Sequence, residues 1–167
     1  MKDNKLIVKK IEKGTVIDHL RPSTALIILN DILNPEIFSE KIYSVLANVD
    51  SSRAHGDGKK DILKIEDVEL TPEETNKIAL LSPRATINII KDYEVVEKRQ
   101  VDLPDEVIGI VRCGNERCIT NYRDRYGRKE PIDYKFDVLS KDPVVLRCHY
   151  CERKIPEDGK TILDYFV

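Results

Sequence analysis

The chain has 167 residues, of which 41% are hydrophobic and 35% are charged, and its formal net charge is −2. This composition excludes a membrane protein and a disordered chain, and the length allows one domain or two small ones. The first residues lack the apolar core of a signal peptide, so we expect a cytoplasmic protein. Charge is nearly balanced on both sides of Val101, which argues against electrostatic binding of nucleic acid.

The first hundred residues alternate short β-rich stretches with two helical patterns. Strands are predicted at residues 5–11, 41–49, 61–66, 85–92 and 93–99, with a loop at 51–60. A helix is predicted over residues 22–33 and is ended by Asn34-Pro35. Its apolar face is expected to carry Ala25, Leu26, Leu29, Ile32 and Leu33.

The second helical pattern begins at residue 71. Thr71 offers an N-cap, Pro72 suits the first helical position, and Glu74 stands where a capping box needs it. This helix is predicted to present Ile78 and Leu81 to the core. The order β-α-β-β-α-β, with one extra strand, predicts a ferredoxin-like split βαβ domain whose helices cover one side of the sheet.

No catalytic motif is present in this first part of the sequence, which has no P-loop, no G-x-G-x-x-G and no G-x-S-x-G. The stretch GTVIDHL places Asp18 and His19 after a predicted strand and before a predicted helix. These residues form either a turn with a capping aspartate and an exposed histidine, or polar contacts to a ligand at the sheet edge. The residues alone leave both interpretations open.

The four cysteines form two close pairs. Four residues separate Cys113 from Cys118, two separate Cys148 from Cys151, and 29 residues lie between the pairs. Buried thiols and redox centres are the alternatives to a metal site in a reducing compartment. The pairing favours zinc, because each pair can direct two thiolates at one point, as tetrahedral S4 coordination requires. With four protein ligands the site is closed, so we predict one structural Zn²⁺.

The last third of the sequence contains only short apolar runs, at 107–111, 134–139 and 143–148, which predict antiparallel strands. So small a core gains much of its stability from a bound metal. We therefore predict an α+β protein with two domains. Residues 1–101 form a ferredoxin-like α/β sandwich, and residues 102–167 form a small all-β zinc domain.

The segment NYRDRYGRKEP at 121–131 is predicted to be a solvated loop with a turn at Tyr126-Gly127. Its basic residues could contact phosphates, but acidic residues alternate with them, which favours an exposed loop. A role in protein docking fits equally well. The charged residues are Arg123, Asp124, Arg125, Arg128, Lys129 and Glu130.

Several stretches resemble one known family. They are DNKLIVKKIEKGTVIDHL from residue 3, GKKDILKIE from residue 58, SPRATINIIKDYEVVEK from residue 82, and the C-x4-C and C-x2-C pairs. In this order, over essentially the whole length, they resemble the regulatory chain of aspartate carbamoyltransferase.

The resemblance implies an N-terminal allosteric domain that binds nucleoside triphosphates and a zinc domain that docks on a separate catalytic chain. Family members form dimers through the N-terminal domain; CTP, sometimes with UTP, inhibits and ATP activates the first committed step of pyrimidine synthesis. No residue of this chain would be catalytic. The residues implied around the base and ribose are Ile11, Val16, Asp18, His19, Ile62, Asn88, Ile90, Tyr93 and Val95. Those implied near the phosphates are Lys60, Lys64 and Lys98, and the zinc ligands are Cys113, Cys118, Cys148 and Cys151.

Two other classes of function compete with this interpretation. A zinc-ribbon nucleic-acid-binding protein would need a basic face and would release DNA or RNA as salt rises. A small nucleotide-using enzyme would need a general base and Mg²⁺ ligands beside the phosphates, for which Asp18 and His19 are the only support. The resemblance favours the regulatory chain, with no nucleic-acid and no membrane partner.

Overall fold

The computed structural model describes residues 9–55 and 58–167, and the chain divides into two compact units. The first unit comprises the chain up to Ile78 together with Arg84–Val101. The second comprises Ala79–Pro83 and Asp102–Val167. Within the described residues, no helix is both long enough and apolar enough to cross a lipid bilayer.

An antiparallel sheet of five strands forms the framework of the first unit. The strands are β1 (Gly14–Leu20), β2 (Tyr43–His55), β3 (Lys59–Glu66), β4 (Thr86–Lys91) and β5 (Glu94–Gln100). They lie in the order β2-β3-β1-β4-β5. This is the arrangement of a ferredoxin-like domain with β5 added at one edge.

Three helical segments accompany this sheet. They are α1 (Ala25–Ile27), which continues into a π-helical turn (Ile28–Ile32), then α2 (Glu36–Glu40) and α3 (Pro72–Leu81). Alternate side chains of the central strands are fully buried, among them Ile17, Leu63 and Ile87. Their neighbours along each strand are only partly buried, so one face of the sheet carries the core and the other stays open. The predicted α+β fold is confirmed.

The first strand lies later in the sequence than predicted. Residues 5–8 of the predicted strand lie outside the described residues, and residues 9–11 form no strand. Gly14 begins the true strand with a φ of +141°, and a Cβ there would lie 2.1 Å from the carbonyl oxygen of Ile65 on β3. Glycine has no Cβ and therefore lets β1 start this close to β3, although glycine usually weakens a strand. Asp18 and His19 therefore lie within β1 and not after it.

The first helix turns most of the predicted face to the core, with one residue exchanged. The backbone N–H of Leu33 donates to the carbonyl of Ile28, five residues earlier, at 3.1 Å, which is the pattern of a π-helix. This wider turn brings Ile28 into the core, whereas Leu26 is 56% exposed, so its predicted burial is wrong. The other four predicted core residues are buried: Ala25, Leu29, Ile32 and Leu33.

Helix α3 begins with the predicted capping box. The backbone N–H of Thr71 donates to Glu74 Oε2 at 2.8 Å, and the N–H of Glu74 donates to Thr71 Oγ1 at 3.2 Å. A cap of this kind contributes about 1 kcal/mol to helix stability. Ile78 and Leu81 are buried, as the periodicity predicts.

Strand β2 occupies much of the segment that was predicted to be a loop. It continues to His55, while β3 begins at Lys59, and Asp50 and Val49 pair with Lys59 and Lys60. The prediction of a loop over 51–60 is therefore wrong. The segment is polar and its pairing with β3 is irregular, so it shows no hydrophobic alternation that would indicate a strand.

The second unit is built on a four-stranded antiparallel sheet. Its strands lie in the order β6-β7-β8-β9. They are β6 (Glu106–Ile108), β7 (Lys135–Lys141), β8 (Val144–Cys148) and β9 (Lys154–Ile155), and a short 3-10 helix (Ile162–Tyr165) follows. The three predicted strands are present, although the first ends at Ile108. Phe136 and Leu146 are fully buried in a core of few large side chains.

Candidate functional site

The four cysteines meet at one point in the second unit. All four Sγ atoms lie within 4.8 Å of one another. The distance from Cys113 to Cys151 is 3.4 Å and that from Cys118 to Cys148 is 3.8 Å, far longer than the roughly 2 Å of a disulfide. Thiolates placed tetrahedrally around Zn²⁺, at about 2.3 Å from the metal, are about 3.8 Å apart. The spacing therefore fits a closed zinc site.

Hydrogen bonds shape the first cysteine pair. The backbone N–H of Asn115 donates to Cys113 Sγ at 3.4 Å, and Thr120 Oγ1 donates to Cys118 Sγ at 3.2 Å. Asn121 Nδ2 donates to the carbonyls of Cys113 and Asn115, both at 2.8 Å. Groups behind the ligands of a metal site orient the ligand atoms, and these contacts do so for two of the four thiolates.

Burial changes the protonation of the thiols. It raises the pKa of Cys113 and that of Cys148. Burial opposes ionisation of Cys151 as well, but hydrogen bonds, foremost that from the backbone N–H of Arg153, lower its pKa to about 7. Without metal, Cys113 and Cys148 hold their protons at neutral pH. Zinc binding must displace those protons, so zinc affinity at this site depends on pH.

Four of the predicted nucleotide-binding residues form one row across the open face of the first sheet. Val16 on β1 pairs with Lys64 on β3 and with Asn88 on β4, and Asn88 pairs with Lys98 on β5. Residues directly opposite one another in antiparallel strands project from the same face. This face is the one away from the core, since Ile17, the next residue of β1, is fully buried.

Six of the predicted residues line a single concavity on the first unit. Its volume is about 220 Å³, and the six are Ile11, Val16, Lys64, Ile90, Tyr93 and Val95. Lys10 and Glu94 line it as well, although neither is among the predicted site residues. Each directly adjoins a predicted residue, and the basic character of Lys10 is a further signal in the sequence. A mostly apolar concavity beside an ammonium group suits an aromatic base carrying a nearby anionic group.

A polar cluster brings together three further predicted residues near the end of β1. Lys60 Nζ lies 2.7 Å from Asp18 Oδ1, and both side chains are mostly buried. The backbone N–H of His19 donates to the same carboxylate oxygen at 2.6 Å, and His19 Nδ1 lies 3.7 Å from the other oxygen. Ile62 lies two residues after Lys60 and so projects from the same face. Lys60 therefore reaches a phosphate only by sharing or leaving its contact with Asp18.

Tyr93 lies at the tip of the hairpin between β4 and β5. Its φ is 64° and that of Asp92 is 51°, the combination found in a type I′ turn. Glycine is preferred at such positions, and a bulky residue there is uncommon. Tyr93 is 53% exposed and borders the concavity, while its backbone N–H donates to the carbonyl of Glu12 at 3.0 Å. The turn geometry alone therefore gives no reason for a tyrosine at this position.

Comparison with known proteins finds two domains of one family in this chain. The sequence profile described as aspartate carbamoyltransferase regulatory chain, allosteric domain, matches residues 6–102. The profile described as aspartate carbamoyltransferase regulatory chain, metal binding domain, matches residues 105–160. The chain belongs to the family of aspartate carbamoyltransferase regulatory chains. It is therefore a non-catalytic chain, as predicted.

Individual relatives are similar in sequence to this regulatory chain over both of its domains. The aspartate carbamoyltransferase regulatory chain of Methanothrix thermoacetophila is 49% identical over 94% of this chain and 96% of the relative. That of Methanothermobacter thermautotrophicus is 49% identical over 92% of this chain and 91% of the relative. That of Porphyromonas gingivalis is 43% identical over 98% of this chain and 100% of the relative.

The metal-binding domain contains all four cysteines of the regulatory chain. Together with the spacing of the Sγ atoms, this confirms the prediction of one structural zinc. Cys113, Cys118, Cys148 and Cys151 would hold the ion. Since protein ligands fill all four positions, this zinc stabilises structure and offers no place for water or substrate.

Proposed function

We propose that this regulatory chain binds CTP, UTP and ATP on the open face of its five-stranded sheet and conveys their binding to a catalytic chain docked on the metal-binding domain. The controlled reaction is the carbamoylation of aspartate in de novo pyrimidine biosynthesis. The domain boundary falls after Val101. Two copies associate through their allosteric domains, and the complex works in the cytoplasm.

The observation that carries this proposal is the convergence of the predicted effector residues. Motifs spread between Ile11 and Lys98 supply a row across four strands, a concavity and a polar cluster, all in one domain. Apolar surface is available for the base, Asp18 can accept from a ribose hydroxyl, and ammonium groups can neutralise the triphosphate. Lysines scattered at random over the surface would not be expected to lie in one row beside an apolar concavity.

Control of the catalytic chain requires that each nucleotide bind two states of the complex with different affinity. The coupling expected for such regulation is on the order of 1–3 kcal/mol. A nucleotide that binds both states equally would leave catalysis unchanged, however tightly it bound. Activation and inhibition therefore follow from which state each nucleotide prefers.

Replacing Lys64 or Lys98 by glutamine is expected to weaken the binding of CTP and ATP about tenfold. Each substitution removes an ammonium group from the row while keeping most of the side chain, and a tenfold loss corresponds to about 1.4 kcal/mol. Isothermal titration calorimetry on the full-length chain measures the effect. The matched control is Lys77→Gln on α3, where the lysine pairs with Glu73 at 2.8 Å, outside the proposed site. Equal affinities in all three variants would contradict the proposed site.

Replacing Tyr93 by glycine is expected to change stability and binding in opposite directions. Glycine adopts the positive φ of the hairpin tip without strain, so the free energy of unfolding should stay the same or rise by up to about 1 kcal/mol. Nucleotide affinity should fall about tenfold because the ring leaves the concavity. Thermal denaturation and calorimetry on the same preparation test both. A variant that loses stability and keeps its affinity would show that Tyr93 serves the fold alone.

A further inference from the structure

The proposed function leaves one ordered feature of the metal-binding domain without a role. Residues 121–131 fold back on themselves, with a bridge between Arg123 and Lys129. Gly127 closes the turn with a φ of 77°, and its backbone N–H donates to the carbonyl of Asp124 at 2.9 Å. We name this segment the basic hairpin.

Asp124 organises the tip of the basic hairpin. Its Oδ1 accepts from the backbone N–H of Arg128 at 2.9 Å and from that of Tyr126 at 2.8 Å, and its Oδ2 accepts from Arg128 Nε at 2.7 Å. These hydrogen bonds, led by that from the Arg128 backbone, hold the pKa of Asp124 below its usual range. The carboxylate thus holds the turn in shape, and its negative charge is compensated within it.

The side chains at the tip form an exposed group of aromatic and guanidinium surfaces. Tyr126 is 67% exposed, and the guanidinium carbons of Arg125 and Arg128 lie 4.8 Å and 5.2 Å from its ring centroid. Cation–π contacts of this kind restrict the motion of all three side chains. Tyrosine and arginine are among the residues enriched at energetically dominant positions of protein interfaces. The hairpin also carries four cationic and two acidic residues, in a chain whose net charge is −2.

The base of the basic hairpin is joined to the first cysteine pair. Asn121, whose amide donates to the carbonyls of Cys113 and Asn115, is also the first residue of the hairpin. Its Oδ1 accepts from Tyr134 Oη at 3.1 Å, and Lys129 Nζ lies 4.0 Å from the ring of Tyr134. These contacts anchor the base of the hairpin to the loop that carries the first cysteine pair.

We propose that the basic hairpin is an interaction element that binds an acidic patch on the catalytic chain. This inference rests on the proposed docking role of the metal-binding domain, to whose metal centre the hairpin is attached. A rigid tip with one aromatic ring and a few cations matches a compact acidic patch on a folded protein. Nucleic acid requires an extended basic surface, which a chain with balanced charge in both domains does not supply.

The double substitution Arg125→Glu and Lys129→Glu tests this inference, because neither side chain contributes to the Asp124 turn. We expect association of the full-length chain with the catalytic chain of the same organism to become about tenfold slower at low salt. The difference should shrink as salt rises, because mobile ions screen charges on the surface. Biolayer interferometry at low and high NaCl measures the rates. Zinc content should equal that of the unsubstituted chain.

The matched control is Lys13→Glu with Lys91→Glu, which makes the same charge change at exposed positions of the allosteric domain. Equal association rates for the two double variants would overturn the inference. So would hairpin-dependent self-association of the regulatory chain alone in analytical ultracentrifugation, or a hairpin-dependent shift of single-stranded RNA in a gel. If the unsubstituted chain fails to bind the catalytic chain at all, the proposed docking function is wrong as well.

Discussion

Replacing Cys148 by serine in the regulatory chain is expected to abolish its stable association with the catalytic chain while nucleotide binding survives. Cys148 ends β8 and is 1% exposed, so its thiolate is built into the core of the metal-binding domain. A structural zinc site supplies on the order of 10 kcal/mol to folding, which a core this small does not replace. Zinc analysis, size-exclusion chromatography with the catalytic chain, and CTP calorimetry measure the three consequences.

Thr120→Val is the matched control for this substitution. It keeps all four thiolates and removes only the hydrogen bond that Thr120 Oγ1 donates to Cys118. Loss of such a supporting contact typically weakens metal affinity about 10-fold to 100-fold, so this variant should still be isolated with one zinc and should still dock. Full assembly of the Cys148→Ser protein with the catalytic chain would contradict the structural role of the metal.

Replacing Asp61 by alanine is expected to destabilise the allosteric domain by about 2–4 kcal/mol. Asp61 is 1% exposed on β3, and its two carboxylate oxygens accept from the backbone N–H of Ala25 at 3.2 Å and from that of Asn48 at 2.8 Å. It thereby ties the start of α1 and an irregular part of β2 to the centre of the sheet. Each buried donor left without a partner costs about 1–3 kcal/mol. Urea denaturation of the full-length chain measures the loss.

Asp61→Asn separates the hydrogen-bonding role of Asp61 from its charge. Asparagine retains one acceptor oxygen, so we expect it to lose about half as much stability as alanine. Neither variant should lose zinc, because Asp61 belongs to the other unit. An Asp61→Ala protein that unfolds at the same urea concentration as the unsubstituted chain would show that these two bonds contribute nothing.

Features that depend on neighbouring residues could be predicted from the sequence. The capping box needs only Thr71 and Glu74 at a fixed spacing, and the structure shows both of its hydrogen bonds. The cysteines could be assigned to one metal because two short spacings, Cys113 to Cys118 and Cys148 to Cys151, each build a local loop. The order of strands and helices likewise predicted the ferredoxin-like sheet.

Features that depend on distant parts of the chain could not be predicted in this way. Gly14 begins β1 because β3 passes too close for a Cβ, a fact that no local pattern contains. The first helix widens to a π-helix over Ile28–Ile32, which places Ile28 in the core and leaves Leu26 exposed, and the apolar periodicity does not indicate this change. The pairing of Lys60 with Asp18 joins residues 42 positions apart, so no local pattern indicates it. The resemblance implied a lysine near the phosphates, and the structure pairs that lysine with a carboxylate.

The most direct test is to measure the rate of carbamoyl transfer by the catalytic chain at fixed aspartate while CTP is titrated. This rate shows whether the allosteric domain binds the nucleotide and the metal-binding domain transmits the effect of that binding to the catalytic chain. With the unsubstituted regulatory chain, we predict a change in rate, and with Lys64→Gln the midpoint should move to about tenfold higher CTP. The Cys148→Ser chain should leave the enzyme unresponsive, like the catalytic chain alone. A catalytic chain that responds to CTP equally well without its regulatory partner would contradict the account.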